Sequence, residues 1–410
     1  MTTAANEQES TYAWLRLAAS VALMTLGGVG MYSVSVVLPL VQAEFAVGRS
    51  EASLPYTLTM IGFGCGSILM GRLADRFGVF TPVMLGTVFL ALGFAAAGSA
   101  RNLLEFSLAQ GLLIGLLGSA ATFAPLVADT SLWFNRRRGI AVAICACGNY
   151  LAGSIWPQVL QHFFERNGWR ETYLGVAAFC LLAMAILAFA LRRRPSLSGI
   201  SSAGDATAAA TSASLGMSPA TLQALLVVAG VSCCVAMSMP IVHIVAYCGD
   251  LGFPAARGAE MLSLMLGCGV VSRLAFGFIA DRIGGLRALL LGSTLQTIAL
   301  ALFLPFDGLA ALYVVSGLFG FFQAGIVPSY AIVVREYFKP GEAGSRVGIV
   351  FTATLLGMAL GGWLSGVIFD VTGSYRAAFL NGIAWNVLNM AIIGGLLWRA
   401  MRIPGALRWQ

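Results

Sequence analysis

Twelve long apolar runs, separated by short polar segments, dominate this 410-residue sequence. A lipid bilayer core of about 30 Å is crossed by a helix of about 20 apolar residues, and each run is about that long. In lipid, every backbone polar group of a spanning segment must be satisfied internally, which favours helices. We therefore predict an all-α membrane protein with twelve transmembrane helices. The runs cover residues 14–41, 52–73, 80–99, 103–128, 138–162, 171–192, 220–247, 258–281, 287–305, 308–334, 343–369 and 376–401.

Composition supports this class and excludes a soluble one. The apolar residues make up 59% of the chain and the charged residues 10%, whereas a soluble domain has about 25% charged residues. The net charge of +7 would suit a nucleic-acid-binding protein, but the basic residues lie in short clusters between the apolar runs. That placement is typical of membrane-protein loops. It predicts the lipid bilayer as a partner and no nucleic acid.

The basic residues also predict the orientation of the chain. If the termini are cytoplasmic, seventeen of the 24 basic residues fall on the inner side and six on the outer side, while Arg273 lies inside a run. Cytoplasmic loops carry an excess of Lys and Arg. We predict a multi-pass plasma membrane protein, specifically of a bacterial inner membrane, with both termini in the cytoplasm.

The two halves of the chain repeat one another. The segment 71–78 (GRLADRFG) matches 277–284 (GFIADRIG) at an offset of 206 residues, and Trp133-Phe134 matches Tyr337-Phe338 at an offset of 204. Internal repeats of this kind are typical of transporters whose site lies between the two repeats. The prediction is two pseudo-symmetric six-helix bundles.

A Ser- and Ala-rich stretch separates the repeats and has the composition of a flexible linker. It gives a predicted organisation of three parts. These are an N-terminal bundle over residues 1–194, a cytoplasmic linker over 195–218 and a C-terminal bundle over 219–410.

Arg273 is the most informative single residue. It lies eight positions before Asp281, about 12 Å deeper at 1.5 Å per residue. An arginine near the bilayer centre costs about 2.5–3.5 kcal/mol, which is tolerated where the side chain lines a wet cavity. Its neighbours four residues away on either side are Gly269 and Gly277, which leave room for a ligand. A guanidinium binds a carboxylate with two parallel hydrogen bonds, so we predict a substrate-binding arginine; a structural arginine is the alternative.

Two titratable residues, one inside the seventh run and one just beyond it, are candidates for proton coupling. His243 lies within that run and Asp250 near its outer end. Desolvation disfavours the charged form of both side chains, so it raises the pKa of a carboxylate towards neutrality and lowers the pKa of an imidazole. The alternatives are a helix-packing histidine and an ordinary helix-end carboxylate.

Further polar and aromatic residues in the runs are candidates to line a pocket for a small acid, because such a pocket needs a few polar groups among apolar walls. They are Tyr32, Phe123, Asn149, Tyr150, Tyr330 and Asn386 or Asn389. Asp129, at the inner end of the fourth run, is expected to pair with Arg136–Arg138 or with Arg76.

The sequence carries no pattern for catalysis. It contains no Ser-His-Asp set, phosphate loop or zinc cluster, and its eight cysteines lie in or beside apolar runs without metal-ligand spacing. We predict that the chain is not an enzyme and has no cofactor, no metal site and no disulfide framework.

The repeated segment resembles the signature motif of the major facilitator superfamily. The resemblance covers the whole chain and implies the major facilitator fold. It implies a gating role for the charged residues of both motif copies, Asp75 with Arg76 and Asp281 with Arg282, which would hold one conformation closed; ordinary interface charge is the alternative. The first copy departs from the motif, because Val79-Phe80 replaces the usual basic residues.

A narrower resemblance links the chain to the monocarboxylate transporters, in particular their bacterial branch. Residues 133–148 are similar to the family's fifth-span motif, and residues 271–282 are similar to its eighth span, whose arginine matches Arg273. This resemblance implies a secondary active transporter that moves a small monocarboxylate by alternating access with proton symport. The alternative is a proton- or anion-coupled antiporter or exporter of another organic anion or drug. The oligomeric state is not predicted.

Overall fold

The computed structural model describes residues 10–134, 137–193 and 215–402. Over these residues twelve helices are long and apolar enough to cross a membrane. We number them α1 to α12. The first six are α1 (Thr11–Phe45), α2 (Arg49–Phe77), α3 (Phe80–Gly98), α4 (Leu103–Trp133), α5 (Arg138–Asn167) and α6 (Trp169–Leu191). The second six are α7 (Pro219–Asp250), α8 (Ala255–Ile283), α9 (Gly285–Leu302), α10 (Leu309–Tyr337), α11 (Pro340–Thr372) and α12 (Tyr375–Arg402).

The described residues pack into two compact units. The first holds α1 to α6 together with Val245–Ser263, which are the end of α7 and the start of α8. The second holds the rest of α7 and α8 and all of α9 to α12. The predicted linker lies outside the described residues except for its last four, 215–218.

The two motif copies have the same backbone geometry, in keeping with the sequence repeat. Gly78 joins α2 to α3 with φ 81° and ψ 163°, and Gly284 joins α8 to α9 with φ 83° and ψ 161°. Positive φ values are reached at no steric cost by glycine. The last glycine of each copy is therefore the residue that lets two antiparallel helices follow one another directly.

Three of the twelve helices are interrupted near their middle. In α1 the helix Thr11–Gly27 meets the helix Val29–Phe45 at Gly28. In α4 a ten-residue π-helix, Ala109–Gly118, and a 3₁₀ turn, Ser119–Thr122, stand between two α-helical ends. In α10 the helices Leu309–Gln323 and Ile326–Tyr337 are separated by two residues. Discontinuous helices in transporters tend to lie at binding sites.

Glycines let the irregular part of α4 approach α2 closely. A side chain at Gly62 would collide with the backbone of Gly111, and one at Gly66 would collide with the carbonyl of Leu116. Small residues that allow backbones to approach are the usual way in which membrane helices pack. The glycines of α2 thus leave room for the π-helical part of α4 to pack closely against it.

Replacing Gly66 by alanine is expected to destabilise the protein by about 1–3 kcal/mol, because overpacking forces backbone shifts. Gly175 in α6 is a matched control, since an added Cβ there would meet nothing within 4 Å. Gly175→Ala is expected to be neutral or to stabilise by up to about 1 kcal/mol through helix propensity. Thermal unfolding of the detergent-solubilised variants measures both. A Gly66→Ala protein as stable as Gly175→Ala would contradict the proposed close packing.

Candidate functional site

Arg273 lies on α8 in the second unit, where its side chain is half-buried. A Cβ built at Gly277, one turn further along α8, would meet no atom within 4 Å. The surface of α8 at Gly277 is therefore open rather than packed. A half-buried guanidinium beside open space can bind a planar anion in the bidentate manner that arginine favours.

His243 is completely buried in the second unit and bonded through both ring nitrogens. Nε2 lies 2.8 Å from the carbonyl oxygen of Gly362, and Nδ1 lies 3.2 Å from the hydroxyl of Tyr375. A carbonyl oxygen only accepts, so Nε2 carries the proton and Nδ1 accepts from Tyr375. The neutral imidazole is satisfied in this arrangement, which holds α7, α11 and α12 together.

Asp250 lies at the end of α7, and Arg49 at the start of α2 binds it. Arg49 Nη2 is 3.1 Å from Asp250 Oδ1, and both residues belong to the first unit. The aspartate side chain is 36% exposed and the arginine side chain 8%. The carboxylate is therefore reachable from solvent on one side and neutralised by a largely buried cation on the other.

Tyr330, Asn386 and Asn389 form a buried hydrogen-bond network in the second unit. Tyr330 donates to Asn389 Oδ1 at 2.9 Å. Asn389 donates to Ser293 Oγ at 2.7 Å, and Asn386 donates to the carbonyl oxygen of Ser293 at 2.8 Å. These bonds join α9, α10 and α12, and they occupy the polar atoms that were expected to face a pocket.

The candidate residues of the first unit lie around the interruptions of α1 and α4. Tyr32 and Tyr150 are buried, whereas Phe123 and Asn149 are half-buried. A Cβ at Gly28, where the two helical segments of α1 meet, would lie 3.5 Å from Asn149 Oδ1. Phe123 follows the 3₁₀ turn of α4. The structure thus places Asn149 and Phe123 beside the irregular parts of two different helices.

The predicted gating residues lie at the ends of the helices that carry the motif. Asp75 and Arg76 are exposed at the end of α2, and Asp281 and Arg282 are exposed at the end of α8. Asp75 also lines a cavity of about 310 Å³ in the first unit. Charged residues around that cavity include Arg16, Asp75, Asp129, Arg192 and Arg193.

A buried ion pair beside this cavity gives Asp129 a partner that the sequence did not suggest. Among the side chains that the structure describes, Asp129 is bound by Arg16 rather than by Arg76 or Arg137, and the side chains of residues 136 and 138 lie outside that description. Arg16 Nε and Nη2 lie 2.8 and 2.9 Å from the two carboxylate oxygens. The two residues are separated by 113 positions, and no local pattern in the sequence connects them. Arg49 was missed as the partner of Asp250 for the same reason.

The sequence matches the Major Facilitator Superfamily over residues 19–309 and 250–406. The chain therefore belongs to that superfamily of membrane transporters. The predictions of the fold and of a transporter rather than an enzyme are confirmed.

Individual relatives of the chain indicate which family within the superfamily it resembles. The chain is 31% identical to monocarboxylate transporter 13 of Rattus norvegicus over 334 residues, which are 80% of this chain and 75% of that protein. It is 26% identical to the MFS-type transporter opdF of Penicillium oxalicum, over 95% of this chain and 90% of that protein. The predicted resemblance to the monocarboxylate transporters is confirmed.

A solved structure shares the fold. It is a bacterial homologue of the human lysosomal transporter Spinster, in an inward-facing and occupied conformation. The TM-score is 0.72 at 14% sequence identity, over 98% of this chain and 99% of that chain. At this identity the similarity shows the fold alone.

Proposed function

We propose that the protein takes up a small monocarboxylate across the plasma membrane, and that Arg273 binds the carboxylate group. The observation that carries this proposal is a half-buried arginine on α8 beside open space at Gly277. The similarity to monocarboxylate transporter 13, which carries the substrate class in its name, supports it. Among the polar candidates of the second unit, Tyr330 and Asn386 have a structural role instead, because their polar atoms are bonded to neighbouring helices.

The proposed orientation has both termini in the cytoplasm of a bacterium, as the distribution of basic residues favours. In this orientation the Arg49–Asp250 ion pair lies on the outer side, and the motif charges Asp75, Arg76, Asp281 and Arg282 lie on the inner side as gating groups. Charged pairs of this kind can hold one conformation and must separate in the other.

Proton symport is the proposed coupling mechanism. Moving one negative charge against 100 mV costs about 2.3 kcal/mol, and one proton per monocarboxylate removes that cost. Asp250 is the better carrier, because its carboxylate is partly exposed and a proton on it would release Arg49. His243 is the weaker candidate, because its neutral form is satisfied through both ring nitrogens.

Uptake is expected to rise as the external pH falls, and an imposed inward pH gradient is expected to accumulate the acid. Asp250→Asn is expected to lose accumulation while keeping exchange of labelled for unlabelled acid, since exchange needs no net proton movement. His243→Ala is expected to lose stability rather than gradient dependence. Labelled acid uptake into proteoliposomes, with and without the gradient, measures these effects.

The matched control is Glu260→Gln, which removes the carboxylate of the exposed Arg257–Glu260 pair on α8 and is expected to behave as wild type. Gradient-insensitive uptake by the wild-type protein would exclude proton symport. Gradient dependence retained in Asp250→Asn would exclude only this residue as the carrier. Uphill exchange against a second anion, without any effect of pH, would favour the antiporter alternative.

A further inference from the structure

The internal repeat allows the two halves of the chain to be compared at the helix that follows each motif copy. In the second half this helix is α9, and Glu336 on α10 caps its start, because the Gly285 N–H donates to Glu336 Oε1 at 2.9 Å. The first N–H groups of a helix have no partner within it, and the helix dipole favours an anion at this end. The second half thus supplies its own anion, a glutamate carboxylate, to the start of α9.

The first half has no carboxylate at the equivalent position. The offset of 204 that relates Trp133-Phe134 to Tyr337-Phe338 places Leu132 where the second half has Glu336. In keeping with this difference, no side chain among the described residues caps the start of α3 with a hydrogen bond. The first half therefore lacks the anion that its repeat carries.

A cavity lies where that carboxylate would be. The cavity of about 310 Å³ in the first unit is lined by Leu132 on α4 and by Gly78, Val79 and Phe80 at the start of α3. Backbone N–H groups and the helix dipole make a helix N-terminus a ready site for phosphate groups. An anion inside this cavity can therefore meet the start of α3.

The charges around the cavity also favour an anion. Arg192 and Arg193, directly after α6, line the cavity and are exposed. Arg16 and Asp129 line it as well, but they neutralise each other in their ion pair. Asp75 adds one negative charge, so three arginines and two aspartates leave the lining with a net charge of +1. This charge matches a ligand with a single negative charge, and the Asp75 carboxylate can accept a hydrogen bond from a hydroxyl of the same ligand.

Exposed aromatic side chains extend from the cavity onto the surface of the helices. Phe77 and Phe80 line the cavity, and Phe77 is 42% exposed. Phe189, near the end of α6, is 56% exposed and contacts Phe80 with ring centroids 5.8 Å apart. Exposed apolar surface beside a polar site marks contact with a membrane or a partner, and basic pockets between transmembrane helices bind anionic lipid headgroups. A phospholipid uses the basic cavity and the aromatic surface together, whereas a free anion uses only the cavity.

We propose that this cavity binds the headgroup of an anionic phospholipid, with its phosphate between Arg192, Arg193 and the start of α3. The phosphate occupies the place that the Glu336 carboxylate has in the second half. Phosphatidylglycerol fits, because it has one negative charge and a headgroup with hydroxyls. A zwitterionic lipid leaves the net charge of the cavity uncompensated. The site lies in the first unit and does not depend on which acid the protein transports.

Thermal unfolding of the full-length protein in detergent, during titration with a single added compound, tests this site. The compounds are phosphatidylglycerol, phosphatidylethanolamine and sodium phosphate, and native mass spectrometry counts the retained lipids. Phosphatidylglycerol is expected to raise the unfolding midpoint and to be retained, because a ligand that binds only the folded state stabilises it. Phosphatidylethanolamine and sodium phosphate at the same concentrations are expected to have little effect.

The double variant Arg192→Gln/Arg193→Gln removes the two exposed cations. It is expected to weaken the apparent affinity for phosphatidylglycerol by about 30-fold, since each basic residue near an anionic lipid contributes about a factor of five. Arg335→Gln/Arg402→Gln is the matched control, because it removes two exposed charges at helix ends in the second unit. This control is expected to keep the response of the wild-type protein.

Leu132→Glu tests the comparison between the repeats. It supplies the carboxylate that the second half has, so it is expected to occupy the anion position and to abolish the response to phosphatidylglycerol. Leu132→Gln has nearly the same size without the charge and is expected to keep the response. An unchanged response in both Leu132→Glu and Arg192→Gln/Arg193→Gln would overturn the site. Stabilisation by sodium phosphate or phosphatidylethanolamine equal to that by phosphatidylglycerol would overturn the assignment to an anionic lipid.

Discussion

Replacement of Arg273 by glutamine is expected to lower monocarboxylate uptake by about 30-fold or more, since truncating one partner of a buried charge pair costs about 2–5 kcal/mol and each 1.36 kcal/mol is about tenfold. Glutamine keeps hydrogen-bonding capacity but removes the positive charge and the forked geometry of the guanidinium. The remaining site would have to hold a carboxylate in a low-dielectric region without a cation. Initial rates of labelled acid uptake into proteoliposomes, at matched protein content, measure the loss.

The Arg273→Lys variant tests whether a positive charge is sufficient without the planar geometry of the guanidinium. Lysine is a compact point charge without the planar fork, so we expect an intermediate loss that falls mainly on apparent affinity. Arg376→Gln is a control for the removal of a positive charge in the same unit, because that side chain is exposed at the start of α12. Unchanged apparent affinity in a folded Arg273→Gln protein would contradict the carboxylate-binding role.

The sequence was sufficient for the number and order of the helices because hydropathy depends only on local composition. The run at 80–99 corresponds to the helix Phe80–Gly98, and the run at 376–401 corresponds to Tyr375–Arg402. The positive φ values at Gly78 and Gly284 follow from the same repeated motif that identified the two halves. Each of these features depends on residues that are close to it in the chain.

The interruptions of α1, α4 and α10 could not be predicted in the same way. An apolar stretch has the same hydropathy whether it forms an α-helix or a π-helix. The irregular part of α4 packs closely against Gly62 and Gly66, which lie on another helix.

The sequence predicted which side chains of the candidate site are chemically unusual, but not which residues contact them. Arg273 was found because a deep arginine in a transmembrane helix is costly. The roles of His243 and Tyr330 depend instead on residues more than 50 positions away, Tyr375 for one and Asn389 for the other. Single-residue chemistry indicates which side chains are unusual, whereas partners distant in the chain decide whether they are available to a ligand.

The second large effect is expected on protein stability, when the ion pair between Arg16 and Asp129 is broken. Arg16→Met is expected to destabilise the protein by about 3–5 kcal/mol, because it leaves a buried aspartate without a compensating charge. The two side chains are 2% and 6% exposed, so water replaces the lost partner only in part, from the side of the neighbouring cavity. The guanidinium also lies over the ring of Trp133 at 4.7 Å, which adds to the loss.

The double variant Arg16→Met/Asp129→Leu tests the physical reason for this effect. Replacing both members of a buried ion pair by apolar residues is often neutral or stabilising, so the double variant is expected to be more stable than Arg16→Met alone. Arg257→Met is the surface control, since exposed pairs contribute about 0–1 kcal/mol and Arg257 pairs with Glu260 at the surface. Chemical or thermal unfolding in detergent measures all three. A double variant as unstable as Arg16→Met would show that the loss comes from packing around Arg16 and Trp133 rather than from the uncompensated charge of Asp129.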